Sequence, residues 1–487
     1  MEPDFQLERN LHDTNSSNVF GHIRKESLDI YNRLHSIAED VLFVTSLARS
    51  EIYGHLPLIA NLRCGAWYID PAHATNTPAY FKSTDGHFGN WGFNLRRPNL
   101  HLLPFIVESS GMILVDSTRA GKRIPDALSK TVPIWCCVIN RATQRLYPDQ
   151  CSQTDWDTKL YTPPAAVSRQ EHAQIEFRLD QWADELVRSS YKLPRLTKPL
   201  RSLWITPSTP SPPPSPLSEY LSVVCISASK QVDAGEERRS GNFVYVQGSG
   251  DDHELWGMGI TPGMFWQNKE MLLSTARPEI ETVVQDLVAS GSTESTVPQG
   301  LPSQIMQTNF FLSTTELLAV DSLDSQASYL LLLPPSDPQP AAERSNVLII
   351  RAHEGKKGQK QFLSEVLPLS MQFIEKSMEN GRHVYVACQS GKDASVGVAL
   401  AALQRFYGDD AELLPTQQWG GVEGQAVTRV YNLNPPDTKT LVTKSSIKTR
   451  LQWIIASCPI ANPSRATLKR VNEYLLSPPA FYTKSST

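Results

Sequence analysis

The stretch VYVACQSGKDASVGVALAAL, Val384 to Leu403, constrains the fold more than any other part of the chain. Val384-Tyr385-Val386 reads as a buried strand, Gly391 admits a close backbone approach to a ligand, and helical apolar spacing runs from Val396 onward with Ser395 placed to cap it. A strand that enters a short loop and restarts as a helix is the building unit of parallel α/β sheets, whose ligands bind at the carboxyl ends of the strands. The first N–H groups of a helix lack intrahelical partners and carry partial positive charge. Cys388, Gln389, Ser390, Gly391, Lys392, Asp393, Ala394 and Ser395 therefore read as an anion cradle, with Lys392 adding a full charge.

The same layout admits a cysteine phosphatase, in which a low-pKa thiolate attacks a phosphoester. That chemistry uses C-x-x-x-x-x-R, and the position of the arginine is filled by Ala394. The planar guanidinium fork that grips phosphoryl oxygens is missing, and the ammonium of Lys392 does not reproduce it. Phosphate binding without covalent catalysis is the reading the loop favours; a structural turn is the bland alternative.

A chain of 487 residues implies about two to three domains with ample core. Its seven cysteines are odd in number and form neither C-x-x-C pairs nor zinc-type spacings, which suits a reduced compartment. The N-terminus MEPDFQLERN is acidic and polar, and the apolar run Tyr329 to Leu333 stops at Pro334-Pro335, so neither a signal peptide nor a membrane span is expected and the cytoplasm or nucleus is. A net charge of −4 gives no global attraction to nucleic acid, but local basic clusters occur. They include Arg96-Arg97, Arg119 with Lys122-Arg123, Lys356-Lys357, Lys444 with Lys448 and Arg450, and Lys469-Arg470; the last two read as solvated helix faces.

Ile30, Leu34, Ile37, Val41, Val44 and Ala48 mark a long amphipathic helix. GMILVDST (111–118) and PIWCCVIN (133–140) read as buried strands, and Ser168 with Glu171 as a capping box. Further strands fall at Leu221 to Ser227 and Phe243 to Val246, and Thr261-Pro262 opens a helix. Thr206 to Pro216 is a proline-rich loop, and the breaker-rich residues 291–304 separate an N-terminal α/β domain, 1–300, from a C-terminal one, 310–487. The second alternates strands at Tyr329 to Leu333, Asn346 to Ile350 and Val384 to Ala387 with helices at Gln361 to Met378 and Ser395 to Phe406, then two helices opened by Ser446 and Ser464.

Three more constellations carry chemistry. In GMILVDSTRAGKR, Asp116 ends a strand as a ribose ligand or base, Ser117 and Thr118 can donate to a phosphate, and Arg119, Lys122 and Arg123 neutralise it; a charged hairpin-like connection is the bland alternative. In QGSGDDHELW, Asp251, Asp252 and Glu254 crowd together, which suits Mg²⁺ on a pyrophosphate with His253 as a proton carrier, and equally suits a solvated acidic turn. In KSTDGHFGNWGFNLRRPNLH, Lys82, His87, Arg96 and Arg97 interleave with Trp91 and Phe93 in a manner suited to stacking on bases or gripping a nucleic-acid backbone, and Lys356 and Lys357 are further nucleic-acid candidates; core positions for Trp91 and Phe93 are the equal alternative.

Taken together, KSTDGH, LRRPNLH, VDSTRAGKRIPDALSKTVPIWC, QGSGDDHELW with GITPGMFW, and CQSGKDASVGVALA resemble the fungal and plant initiator tRNA 2′-O-ribosyl phosphate transferase family over most of the chain. Thr206 to Pro216 and Ala341 to Arg344 carry no such motif. The resemblance implies a dual-specificity-phosphatase-like C-terminal domain. It also implies transfer of a 5-phosphoribosyl group from 5-phosphoribosyl 1-pyrophosphate to the 2′-hydroxyl of a T-stem adenosine in initiator methionine tRNA, which marks the tRNA for initiation and against elongation. No membrane and no stable protein partner are implied. Two arrangements stay open: the donor lies among Asp116 to Arg123, Asp251 and Asp252 while the Cys388 loop holds a tRNA phosphate, or the Cys388 loop holds the donor's phosphate. The rival functions are a non-catalytic reader of phosphate or tRNA and a cysteine phosphatase.

Overall fold

Strand and helix alternate as the sequence leads one to expect, in a four-stranded and a five-stranded sheet with a separate two-stranded ribbon. The computed structural model describes residues 26–291 and 302–477, apart from 63, 76, 120, 153–154, 211–218, 233–235, 241, 319–322, 337–343, 354, 417–418 and 420–441. Most of the proline-rich loop, most of the interdomain segment and residues 341–343 thus lie outside the described residues. The chain divides into two compact units, the first ending before residue 297 and the second following it; residues 95–97 and 189–192 belong to the second.

The first unit is built on four parallel strands, β1 (Leu58–Ala60), β2 (Gly111–Asp116), β3 (Leu200–Ile205) and β4 (Leu221–Ser227), in the order β1-β2-β4-β3. Register is set by Leu58 opposite Ile113, Gly111 opposite Ser222 and Leu200 opposite Leu221. Every residue of β2 and β4 is buried, as a central parallel strand covered on both faces requires. Helix α1 (Ile30–Ala48) is capped by Asp29, whose carboxylate accepts from the Asn32 N–H, and sends Ile30, Leu34, Ile37, Val41 and Val44 into a core shared with Ile113, Val115, Val224 and Ile226.

α1 also carries a polar row at four-residue spacing, Asn32, Ser36 and Asp40, all buried. These side chains hold a two-stranded antiparallel ribbon, β5 (Glu236–Arg238) and β6 (Val244–Val246). Val244 N–H donates to Asn32 Oδ1 (3.0 Å), Val246 N–H to Ser36 Oγ (2.9 Å) and Tyr245 Oη to Asp40 Oδ1 (2.7 Å). Burial pushes the Asp40 carboxyl up to about 8, against the opposing hydrogen bonds from Ser229 and Tyr245. The ribbon delivers the chain to Gln247.

One expected strand is a helix. PIWCCVIN lies inside α2 (Val132–Leu146), with Pro133 in its first turn, where a missing N–H costs nothing. A continuous apolar run is the signature of a buried strand and also of a helix covered on all sides, and here residues Val132 to Asn140 are all buried. Strand β1 is three residues long, too short to be read, and β3, LRSLWI, mixes Arg and Ser among its apolar residues and is only half buried, so it shows no continuous apolar run.

The second unit is a five-stranded sheet of β7 (Ser303–Gln304), β8 (Phe310–Thr314), β9 (Ala327–Leu333), β10 (Val347–Arg351) and β11 (His383–Cys388), in the order β10-β9-β11-β8-β7. All pairings are parallel except β7 with β8. Helix α3 (Leu367–Glu379) lies between β10 and β11, and α4 (Ala394–Phe406), α5 (Lys444–Ser457) and α6 (Arg465–Leu476) follow β11. Ser464 caps α6 as expected, but α5 is capped by Thr443, with Ser446 as the reciprocal member of its capping box. Arg450, read from sequence as part of a solvated face, is fully buried and donates to the carbonyls of Leu403 and Tyr407 and to Asp409 Oδ1 at 2.6 Å. Its guanidinium ties α4 to α5.

Candidate functional site

The carboxyl end of β2 and the turn after β6 meet in the first unit because one glycine lets them. Gly248 has φ +70°, and a Cβ there would stand 2.5 Å from the carbonyl carbon and oxygen of Thr118 and 2.6 Å from the Arg119 nitrogen. Its neighbour Gln247 is buried and donates through Nε2 to the carbonyls of Thr118 (3.3 Å), Arg119 (3.2 Å) and Lys122 (2.7 Å). One amide thus fixes the curvature of the Thr118–Lys122 loop, and its Oε1 accepts from Val232 N–H.

The two loops bound a cleft of about 170 Å³. Thr118, Arg119 and Lys122 line one side, Asp251 and Asp252 another, and Ser83, His87 and Asp126 complete it. Asp251 is buried, and its Oδ1 accepts from the Asp252 N–H at 3.0 Å. Asp252 adopts φ +49°, and its exposed carboxylate lies 3.2 Å from Arg119 Nη1. Cation and anion therefore face each other across the cleft.

Behind this surface runs a chain of alternating charges. Asp126 is bridged by Lys122 on Oδ2 and by Lys130 at 2.9 Å on Oδ1, Lys130 also reaches Glu171 (3.0 Å), and Glu171 accepts from Trp91 Nε1 (3.0 Å). Burial pushes the Asp126 carboxyl upward, but the hydrogen bonds and charges of Lys122 and Lys130 outweigh it and hold the group below the usual carboxylate range. His87 Nε2 lies 3.8 Å from Asp126 Oδ2. Ser168 caps the helix Arg169–Glu176 by accepting from the Glu171 N–H, while the Glu171 side chain serves this network.

Six residues singled out from sequence, Thr118, Arg119, Lys122, Asp251, Asp252 and His87, come together in this cleft. Others are placed elsewhere. Asp116 is fully buried and accepts from Asn61 Nδ2 (2.8 Å), Cys64 Sγ (2.9 Å) and the Ser117 N–H (2.9 Å), so its place is under the loop, as a brace. Ser117 is equally buried, its hydroxyl 2.7 Å from that of Ser229. Arg123 turns away to Thr206 Oγ1 at 3.3 Å. His253 and Glu254 sit on a short helical turn, the imidazole 5.7 Å from the Trp67 ring and Glu254 exposed. The expected trio Asp251, Asp252 and Glu254 is corrected accordingly: among the described residues no three metal-capable side chains gather. Asp251 and Asp252 remain as an adjacent pair, which suits Mg²⁺ held by one or two carboxylates and completed by phosphate oxygens.

Ser83 and Asp126 were missed from sequence, although both lie in the motifs quoted above. The signal for Asp126 was its spacing, four residues after Lys122 and four before Lys130. Of the RNA candidates, Lys82 and Lys357 are exposed and Arg97 is half-buried; Arg96 donates to the Pro463 carbonyl at 2.7 Å within the second unit. Lys356 lies in the helix Gly355–Gln361.

In the second unit β11 ends at Cys388, and the loop turns at Gly391, φ +64°, whose N–H donates to the Cys388 carbonyl. Gln389, Ser390 and Lys392 are exposed, and Asp393 Oδ1 accepts from the Ser464 N–H at 2.8 Å. Ser395 does not cap α4: the N-cap is Asp393, and Ser395 is buried in the first turn with its hydroxyl 3.1 Å from Cys388 Sγ. The thiol is itself buried. The transfer that the sequence resemblance implies, attack by a hydroxyl on a sugar carbon, needs no thiolate, so Cys388→Ser is expected to keep its rate within about threefold; steady-state rates of the variant check this, and loss of turnover in a folded protein would refute it.

Residues 23–289 match the family described as Rit1 N-terminal domain, and residues 346–475 that described as Rit1 DUSP-like domain. An uncharacterized protein of Schizosaccharomyces pombe is 34% identical over 459 residues, spanning 92% of this chain and 94% of its own. The Saccharomyces cerevisiae protein named tRNA A64-2′-O-ribosylphosphate transferase is 30% identical over 519 residues, spanning 93% of each. Among solved structures, human DUSP28 aligns at 15% identity over 35% of this chain and 94% of its own with a TM-score of 0.23, and a mouse dual specificity phosphatase at 14% over 37% and 91% with 0.25. With one family match covering more than half its length and a second covering most of its other unit, the chain belongs to the Rit1 family.

Proposed function

We propose that this protein transfers a 5-phosphoribosyl group from 5-phosphoribosyl 1-pyrophosphate to the 2′-hydroxyl of a T-stem adenosine in initiator methionine tRNA, and that the cleft of the first unit holds the donor. The observation that carries the reading is the union, in one cleft, of Arg119 and Lys122 with the carboxylate pair Asp251 and Asp252. A donor with phosphate on one carbon and Mg²⁺-pyrophosphate on another asks for both. The name of the yeast relative supports the same reaction class.

In the reaction the tRNA 2′-oxygen forms a bond to the anomeric carbon as the bond from that carbon to the pyrophosphate oxygen breaks. Positive charge develops on the sugar and negative charge on the leaving group. Arg119 and Lys122 stabilise the anionic ends of the donor, and Thr118 donates a hydrogen bond to a phosphate oxygen. Asp126 and Lys130 keep the Lys122 ammonium in position, since its carboxylate partner is itself anchored from behind. Asp251 and Asp252 would hold Mg²⁺, which when bound neutralises the departing pyrophosphate. His87 receives the 2′-hydroxyl proton and releases it to solvent. The Cys388 loop, by this assignment, holds a phosphate of the tRNA backbone.

Intact-mass analysis of initiator and elongator tRNA after incubation with protein, Mg²⁺ and donor tests the activity; a ribosyl phosphate increment on the initiator alone is expected. Calorimetric titration with Mg²⁺ and donor tests the placement. Asp251→Asn should weaken donor binding at least tenfold, a loss of about 1.4 kcal/mol, and leave tRNA affinity unchanged; Lys392→Ala should do the reverse. If Lys392→Ala abolishes donor binding and Asp251→Asn does not, the donor belongs in the Cys388 loop.

A further inference from the structure

One residue next in sequence to the cleft has no use in the proposed reaction. Phe88 follows His87 directly and is 71% exposed. Scattered surface apolar residues need no explanation, but this one is held in a fixed position. Its backbone turn is closed on both sides, by Asn90 N–H to the His87 carbonyl (2.9 Å) and Gly92 N–H to the Asp85 carbonyl (3.0 Å). Gly86, at the root of the turn, is buried so closely against Asp126 that an added Cβ would lie 2.7 Å from the Asp126 carbonyl oxygen. The Phe88 ring rests edge-on against Trp91, centroids 5.3 Å apart at 79°. Trp91 is buried, pinned by its Nε1–H to Glu171, and has the Arg178 guanidinium 5.4 Å from its ring centroid.

We infer that Phe88 is a stacking platform for the nucleobase of the acceptor adenosine. The inference rests on the proposed transfer reaction. The base of a nucleotide is carried on the carbon next to the one bearing the 2′-hydroxyl, so a hydroxyl delivered to His87 brings its base to the rim where the neighbouring residue stands. A flat aromatic face serves any base sterically, and in an A-form stem such contact requires the base to leave its stack. The rigid mount suits that task, because a ring already fixed loses little freedom when it binds. Phe88 therefore sets the position of the acceptor and does not take part in bond making.

The test is a binding cycle without donor, so that no turnover is needed. Fluorescence anisotropy compares wild type and Phe88→Ala on initiator tRNA and on the same tRNA abasic at the target adenosine. Phe88→Ala should weaken binding roughly 5- to 100-fold, Phe88→Tyr should restore it, and the thermal midpoint should not move because the ring is exposed. The abasic tRNA should weaken wild type by a similar factor and Phe88→Ala by little more. Independent, multiplying effects, or unchanged affinity for Phe88→Ala, overturn the platform. Transfer by wild type without this coupling removes the platform alone; coupling without any transfer removes the reaction and leaves a platform that reads RNA.

Discussion

Gly248→Ala is expected to lower stability by about 2–4 kcal/mol and transfer by roughly 100-fold, measured by urea unfolding and by kcat/KM. Two costs combine. The backbone at φ +70° is left-handed, where a Cβ is disfavoured, and the new methyl would collide with the peptide joining Thr118 to Arg119. Relief requires the turn carrying Asp251 and Asp252 to move away from the loop carrying Arg119 and Lys122. A shift of about 1 Å is enough to spoil a catalytic arrangement. The stability loss and the activity loss should therefore appear together, whereas Asp251→Asn should lose donor binding with little change in stability.

Lys130→Met should be the most destabilising single change near the cleft, by about 3–5 kcal/mol. The side chain is 7% exposed and stands between two carboxylates, on Asp126 and Glu171, that are almost as deeply buried. Removing the cation leaves like charges facing each other in a poorly solvated place. The pH dependence carries a clear sign. Because the folded-state pKa of Asp126 is held below its unfolded value of about 3.9, its contribution is complete above that pH and is lost as pH falls through the lower, folded value. With Met at position 130 the carboxyl loses the hydrogen bond and the charge of one of the two cations that depress it, so the acid limb of the stability curve should become shallower. Thermal midpoints between pH 3 and 7 would show this, and an unchanged acid limb would mean that Lys122 alone sets the Asp126 titration.

Strands β2, β4, β9, β10 and β11 were legible in the sequence because β-branched and aliphatic residues are concentrated in short runs bounded by polar turns. α2 was not, since an apolar run buried on every side has no period to read. In the site, the loops that supply charge could be read, because Gly, Asp, Arg and Lys cluster at strand ends. What could not be read was depth. Asp116 and Thr118 lie two residues apart on one motif, yet the first braces the loop from beneath and the second faces the cleft. Arg450 shows the same limit in the second unit, where helical spacing gave no hint that this cation is enclosed.

The cleft draws on residues near 83–87, 118–126 and 251–252, and the amide that shapes its cationic loop comes from Gln247. Such long-range closure has a consequence for the order in which the protein becomes active during synthesis. The strands β1 to β4 can pair while later residues are still being made, but the Thr118–Lys122 loop acquires its final curvature only when Gln247 and Gly248 arrive from beyond β6. A nascent chain therefore holds a folded sheet before it holds the complete cleft. Any fragment that stops short of Asp252 should keep much of the first unit's core and, on the proposed assignment, fail to bind the sugar phosphate.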